Sequence, residues 1–302
     1  MKLVTFTHMG ERRIGVASGN YVYAIGSIPG YPREMTELLA AGHALSGDLA
    51  NRLERHCERT ALADIHLEAP LLRPPKFLAI GLNYADHITE KGGSRPAFPT
   101  IFNKQSTCVN GPYDPIHKPG VSEQVDYEGE LGFVIRNRCR HVPADRAPEV
   151  IAGYLVVNDV SVRDWQARSP TLTLGKSFDT HGPIGPWIVT PDEIGDPHAL
   201  DVRTYVNGEP RQAFNTRDMI WNCYRLVELL STVFTLEPGD VVSTGTGRGV
   251  GMRRDPPSFL QPGDVVRIEI EAIGAIENRV IEEPETSLEQ RPRSPCPADE
   301  TT

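Results

Sequence analysis

Hydrophobic and polar positions divide the chain into a short leading stretch, a long β-rich stretch and a polar end. Three strand patterns come first, Lys2–Phe6, Arg13–Ala17 and Tyr21–Ile25, separated by the turn pairs Gly10-Glu11 and Gly19-Asn20. Two helical patterns follow, Met35–Ala41 and Leu45–Arg59, and the second aligns Leu49, Leu53 and Cys57 on one stripe. A proline-marked linker between Glu68 and Pro75 closes this part. Beyond it the period is mostly that of strands: Phe77–Ile80, Leu131–Ile135, Ile151–Val160, Trp187–Val189, Val202–Val206, Val241–Ser243 and Val265–Glu271. One helix is expected among them, Met219 to Val233, with Ile220, Cys223, Leu226, Leu230 and Val233 facing a core. Asn207-Gly208 signals a hairpin, and the two Pro-Gly-Asp turns at 238–240 and 262–264 fit paired turns of a barrel-like sheet. The pattern predicts an α+β, mostly β protein. It has a small N-terminal α/β module over residues 1–72, a main domain over 73–282 and a mobile tail over 283–302 rich in Pro, Glu, Ser and Thr.

Composition narrows the function classes. With 302 residues, 39% hydrophobic, the chain can bury one large core or a large and a small one. A formal net charge of -9 and no basic stripe argue against nucleic acid and anionic membranes as partners. The apolar runs are too short and interrupted to span a bilayer, and the first residues do not read as a signal peptide. Five scattered cysteines with no CxxC pair suit a reduced protein, and a cytoplasmic location is expected.

The chemistry concentrates at Asp126-Tyr127-Glu128-Gly129-Glu130, which runs into the apolar Leu131–Ile135. On a strand, Glu128 and Glu130 share one face, about 7 Å apart. Two carboxylates at the edge of an interior repel each other and lose hydration, and a divalent cation would relieve both problems. The bland alternative is a solvated acidic strand end. Asp159 is a third carboxylate, at the end of another hydrophobic strand. His87 and Glu90 lie three apart on a predicted helical turn, an arrangement that suits a general base held by an acid and equally a surface pair. Lys91-Gly92-Gly93-Ser94 directly after them would let that segment act as a lid. Lys176 sits in a Gly-Lys-Ser loop that is not a phosphate-binding loop, because Pro170 stands where the upstream glycine is required. The glycine-rich Gly245–Gly251 follows a strand but Pro256-Pro257 interrupts any Rossmann helix; such a loop can instead turn amides and the Thr246 hydroxyl towards a substrate carboxylate.

Taken in order, GLNYADHITE from Gly81, IFNK from Ile101, DYEGELGFVI from Asp126, YLVVNDVSVRDWQ from Tyr154, GKSFDT from Gly175, PGDVVSTGT from Pro238 and PGDVVRIEIEAIG from Pro262 resemble the fumarylacetoacetate hydrolase family over about residues 75–282. The resemblance implies a β-roll or barrel-like catalytic core, Mg²⁺ or Mn²⁺, a 2-oxo or diketo acid substrate and commonly a homodimer. It assigns the metal to Glu128, Glu130 and Asp159. It makes His87 and Glu90 the water-activating base and its partner, and Lys176 the active-site lysine. Lys104, Arg163, Gln166 and Thr246 fall near the substrate, and Thr180 near the metal through water. Where family members usually have Gly-Thr-Pro, this chain has Gly245-Thr246-Gly247, which loosens the loop around Thr246. The implied reaction is hydrolysis of a C–C bond in a 2,4-diketo acid, giving pyruvate or a related 2-oxo acid plus a carboxylate. Decarboxylation of oxaloacetate-like acids or isomerisation of unsaturated 2-oxo diacids are the alternatives, and a binding protein without turnover is a third.

Overall fold

The computed structural model describes residues 1–42, 49, 52–53, 57–90 and 95–285, with the side chains of 87–89 set aside. The predicted lid glycines, the tail from 286 and most of the second predicted helix lie outside the described residues.

Among the described residues the largest sheet has twelve strands. Its path runs from Arg59–Ala61 through Tyr21–Ala24, Glu11–Ser18 and Lys2–His8 to Gly182–Val189, Ile151–Asn158, Gly129–Ile135, Val241–Thr246, Phe77–Gly81 and Thr100–Lys104. The first strand, Lys2–His8, pairs antiparallel with Gly182–Val189, so the N-terminal strands extend the sheet of the main domain. A second sheet of five strands joins Glu209–Asn215, Asp201–Val206, Val265–Ile270, Gly274–Glu282 and Ile116–Lys118. The two ends of the large sheet do not pair with each other, so the barrel-like core expected from the turns is a pair of packed sheets without closure.

Alternation along the central strands sorts side chains between two cores. Leu131, Phe133 and Ile135, with Tyr154 and Val156, join Val202, Val266 and Ile268 of the second sheet and Leu226 and Leu230 of the Cys223–Val233 helix. Val134, Leu155 and Val157 point the other way, onto Leu3, Ile14, Val16, Leu38 and Leu39 of the N-terminal part. Both faces of Gly129–Ile135 are therefore buried, as the apolar run predicts. Burying each such side chain contributes about 1.5–3 kcal/mol. Gly132 is required by close packing: a Cβ there would meet Val157 Cγ2 at 2.6 Å and Leu155 Cδ1 at 2.7 Å.

Three expectations need correction. The helix expected from Met219 begins only at Cys223, because the Asn222 side chain accepts from the Arg225 amide and caps it there. Val233 is 63% exposed, since the helix ends at this residue and Phe234 takes the next core-facing position. The second predicted helix overshoots: Leu49 and Leu53 are buried, but Arg59–Ala61 is an edge strand paired with Tyr21–Ala24. The three leading strands, the Met35–Ala40 helix and the Asn207-Gly208 hairpin fall where the pattern places them; both turn residues have positive φ, 53° and 78°. No described helix is long and apolar enough to cross a membrane.

Candidate active site

The acidic stretch is not one continuous strand. Val125–Asp126 pairs with Ser161–Val162, and Gly129–Ile135 pairs with Ile151–Asn158. Glu128 occupies the break between them, and its carbonyl accepts from the Asp159 amide at 2.9 Å. A register shift between Glu130 and Gly132 against Val241–Thr246 re-aims Glu130. The result is that Glu128, Glu130 and Asp159 each offer an oxygen within 4.8 Å of the others. They are 7%, 1% and 1% exposed, deeper than the rim position expected for the two glutamates.

Buried cations offset part of this charge. Lys176 Nζ donates to Glu128 Oε2 at 2.6 Å and to Asp159 Oδ2 at 2.7 Å. Lys104 Nζ donates to Asp159 Oδ1 at 2.7 Å and to the Lys176 carbonyl. Arg163 reaches Glu128 Oε1 at 2.7 Å and Asp126 Oδ2 at 2.8 Å. Burial disfavours the Lys176 ammonium, but Asp159 and Glu128 outweigh it and raise its pKa, so the amine stays protonated. Glu130 differs: Ser243 Oγ (2.6 Å) and the Gly245 amide (2.7 Å) donate to Oε2, and it makes no ion pair with a described residue. Burial, then Asp159 and Glu128, push its carboxyl well above the usual range. Three buried carboxylates, one lacking a cation, form a hard-oxygen donor set that fits a divalent ion of the Mg²⁺, Mn²⁺ or Ca²⁺ kind.

Glu128 and Glu130 of the triad open on a cleft of about 370 Å³, which Asp159 does not line. Glu128, Glu130, Arg163, Gln166, Lys176 and Thr246 line it, so six of the sequence-derived residues share one cavity. Gln166 Oε1 accepts from Arg163 at 3.0 Å. Lys104 is placed behind Asp159, with a side chain 0% exposed, and does not line the cleft. Thr180 accepts from the His117 amide at 2.9 Å and is likewise away from the cleft. Glu90 lies at the end of the Ala85–Glu90 helix and accepts from the Gly249 amide at 3.0 Å; the His87 side chain lies outside the described residues.

The glycine-rich loop departs from its expected use. Its amides serve the protein's own carboxylates: Gly245 donates to Glu130, Gly249 to Glu90, and Gly251 and Met252 to Asp126 at 2.7 and 3.0 Å. Thr246 Oγ1 donates to the Gly129 carbonyl (2.9 Å) and accepts from Gln212 Nε2 (2.8 Å), so the hydroxyl ties strand to loop. Asp126, Ser243, Gln212 and Asn83 are the supporting residues that sequence reasoning missed. Asn83 bonds the Thr244 carbonyl at 2.7 Å and both backbone groups of Trp221, fixing the approach to the Ala85–Glu90 helix. Only Asp126 carried a local signal, an acid at the start of a buried strand.

A family profile described as "Fumarylacetoacetate (FAA) hydrolase C-terminal" matches residues 76–281. The mitochondrial oxaloacetate tautomerase of Xenopus laevis is 41% identical over 288 residues, 93% of this chain and 90% of that one. Among solved structures, maleylpyruvate hydrolase from Sphingobium sp. SYK-6, in complex with manganese(II) and pyruvate, superposes with a TM-score of 0.80 at 31% identity, covering 94% of this chain and all (100%) of that one. The 5-carboxymethyl-2-hydroxymuconate delta-isomerase of Mycobacterium smegmatis gives 0.76 at 36% identity with the same coverage. Likeness on this scale spans the N-terminal strands as well as the acidic cleft, and it places the chain in the fumarylacetoacetate hydrolase family.

Proposed function

We propose that the protein is an enzyme that handles 2-oxo acids through their enol or enolate forms, and that keto–enol isomerisation of an oxaloacetate-like acid is its leading reaction. The observation that carries this is Lys176, buried at the wall of the cleft with its Nζ donating to both Glu128 and Asp159. Glu128, Glu130 and Asp159 would hold Mg²⁺ or Mn²⁺, which when bound supplies Lewis-acid polarisation of carboxylate and 2-oxo oxygens. Arg163 and Gln166 line the same wall and would orient the substrate's carboxylate. Lys176 keeps its proton and would place a fixed positive charge, on a nearly inaccessible side chain, where enolate charge develops. His87, carried on the Ala85–Glu90 helix, would take and return the carbon-bound proton, and Glu90 anchors that helix to the glycine-rich loop. Of the tautomerase and the hydrolase named above, the tautomerase is the more similar in sequence, which supports the isomerising reading.

Hydrolysis of the C–C bond of a diketo acid, ranked first from the sequence, stands as the second reading. The intact His87 and Glu90 positions favour it, as does the likeness to maleylpyruvate hydrolase. There His87 would deprotonate a water instead of a carbon. We also propose a homodimer in the cytoplasm.

The test is a product assay on metal-stripped protein with Mn²⁺, Mg²⁺ or chelator added. Metal-dependent acceleration of oxaloacetate enol–keto exchange, without pyruvate from acylpyruvates, is the expected result. Pyruvate plus a carboxylate from an acylpyruvate establishes hydrolysis. Carbon dioxide from oxaloacetate makes it a decarboxylase. Metal and ligand binding with no turnover of any of these overturns the enzyme reading.

A further inference from the structure

The charge of the site leaves one cation without a task. Four buried carboxylates, Asp126, Glu128, Glu130 and Asp159, face three buried cations, Lys104, Arg163 and Lys176. Each of the three cations is already paired with one or two of these acids, so none is left over for a further carboxylate. A second carboxylate on the substrate would then enter a low-dielectric cleft without a partner, which is costly.

Arg253 also lines this cleft, and it is exposed. Among the described residues its guanidinium has no ion pair, whereas the adjacent Arg254 and the nearby Arg211 both pair with Glu209, at 3.2 and 3.1 Å. Its backbone is held. The Gly251–Arg253 turn is clamped by Asp126, which accepts from the Gly251 and Met252 amides while its Oδ2 also accepts from Arg163. One buried acid thus sets both the arginine inside the cleft and the turn that presents the arginine at its mouth.

We infer that Arg253 is a specificity-determining residue that receives a second, distal carboxylate, so that the enzyme selects 2-oxo dicarboxylates over 2-oxo monocarboxylates. The inference rests on the reading of the cleft as a 2-oxo acid site. The rival is a solvated arginine that meets only water.

Titration of the Mn²⁺-loaded protein with oxaloacetate and with its 4-methyl ester separates the two. The ester keeps the 2-oxo acid head and removes only the distal charge. The wild type should bind the diacid about tenfold more tightly than the ester, as suits one partly exposed charge-assisted contact. Arg253→Gln should erase that ratio by weakening the diacid alone, Arg253→Lys should restore part of it, and Arg253→Glu should push it below one. Unchanged Mn²⁺ content in the variants checks that the triad is intact. A diacid-to-ester ratio that survives Arg253→Gln overturns the assignment, as does equal weakening of both ligands. If the ester binds the wild type but the diacid has no advantage, only the role of Arg253 falls. If neither ligand binds, the 2-oxo acid reading falls and this inference with it.

Discussion

Among the described residues, two places bring three ligand-type side chains together. Glu128, Glu130 and Asp159 do so at the cleft, and His66, Glu68 and Asp114 do so where the His66–Leu67 strand meets the loop before Ile116; each set offers atoms within 4.8 Å of one another. Their surroundings differ. The cleft acids are nearly inaccessible and gripped by Lys104, Lys176, Arg163, Ser243 and the Gly245 amide. In the other set His66 is 51% exposed, its Nε2 pairs with Asp114 at 3.0 Å, and Glu68 takes the Thr7 hydroxyl at 2.6 Å. The three outer groups already satisfy each other or face solvent, so proximity there stores little energy. In the cleft, burial makes every charge costly unless matched, and Glu130 is left without a cation. The comparison teaches that depth and an incomplete charge match, more than spacing, mark the candidate metal centre.

That contrast can be broken in several ways. The largest effect is expected from removing a triad ligand. Glu130→Ala or Asp159→Ala should abolish Mn²⁺ retention in equilibrium dialysis and lower turnover by about 10³-fold or more, whereas His66→Ala and Asp114→Ala should leave both within about twofold. Equal losses in the two sets would collapse the distinction. Next, Lys176→Met leaves Glu128 and Asp159 facing each other without their shared cation. Metal-free protein should lose about 3–5 kcal/mol in chemical denaturation, and Mn²⁺ should recover much of it without restoring turnover. Stability unchanged in the absence of metal would show that the lysine does not balance the acids.

Histidines sharpen the same comparison. His181 is fully buried, its Nε2 meets the His117 carbonyl at 2.8 Å, and burial brings its pKa down to about 3. The unfolded chain takes up that proton near pH 6.5. Between the two values only the unfolded state is protonated at this site, so the stabilisation is whole above about 6.5 and is lost as pH falls towards 3, at up to about 1.4 kcal/mol per unit. His181→Gln keeps a donor for the carbonyl and should remove this share of the slope in denaturation curves from pH 7 to 4. An identical slope in both proteins would refute it. The smallest effect belongs to the exposed pair: His66→Ala should shift stability by less than about 1 kcal/mol, and a larger loss by thermal melting would mean that the outer cluster clamps the loop.

Much of this was legible along the chain, for a local reason. Strand alternation and turn glycines are set by neighbours in sequence, so the leading hairpins, the buried Gly129–Ile135 and the Asn207-Gly208 turn could be read directly. Glu128, Glu130 and Asp159 stood out because an acid beside a long apolar run is costly wherever the chain folds, whereas Lys176 was marked only by the family resemblance. Element ends were less so: capping by Asn222 and edge pairing of Arg59–Ala61 overrode helical periodicity.

What the sequence by itself determined is therefore the β-rich class, the family and the set of charged residues that must find partners. The tertiary structure decided which partners. Lys104 meets Asp159 across 55 residues and lies behind the site, Asp126 holds a turn 125 residues away, and Ser243 steadies Glu130 across 113. Pairings over such distances depend on strand order and register, which no local pattern encodes, because each contact exists only once the sheet has brought its strands side by side.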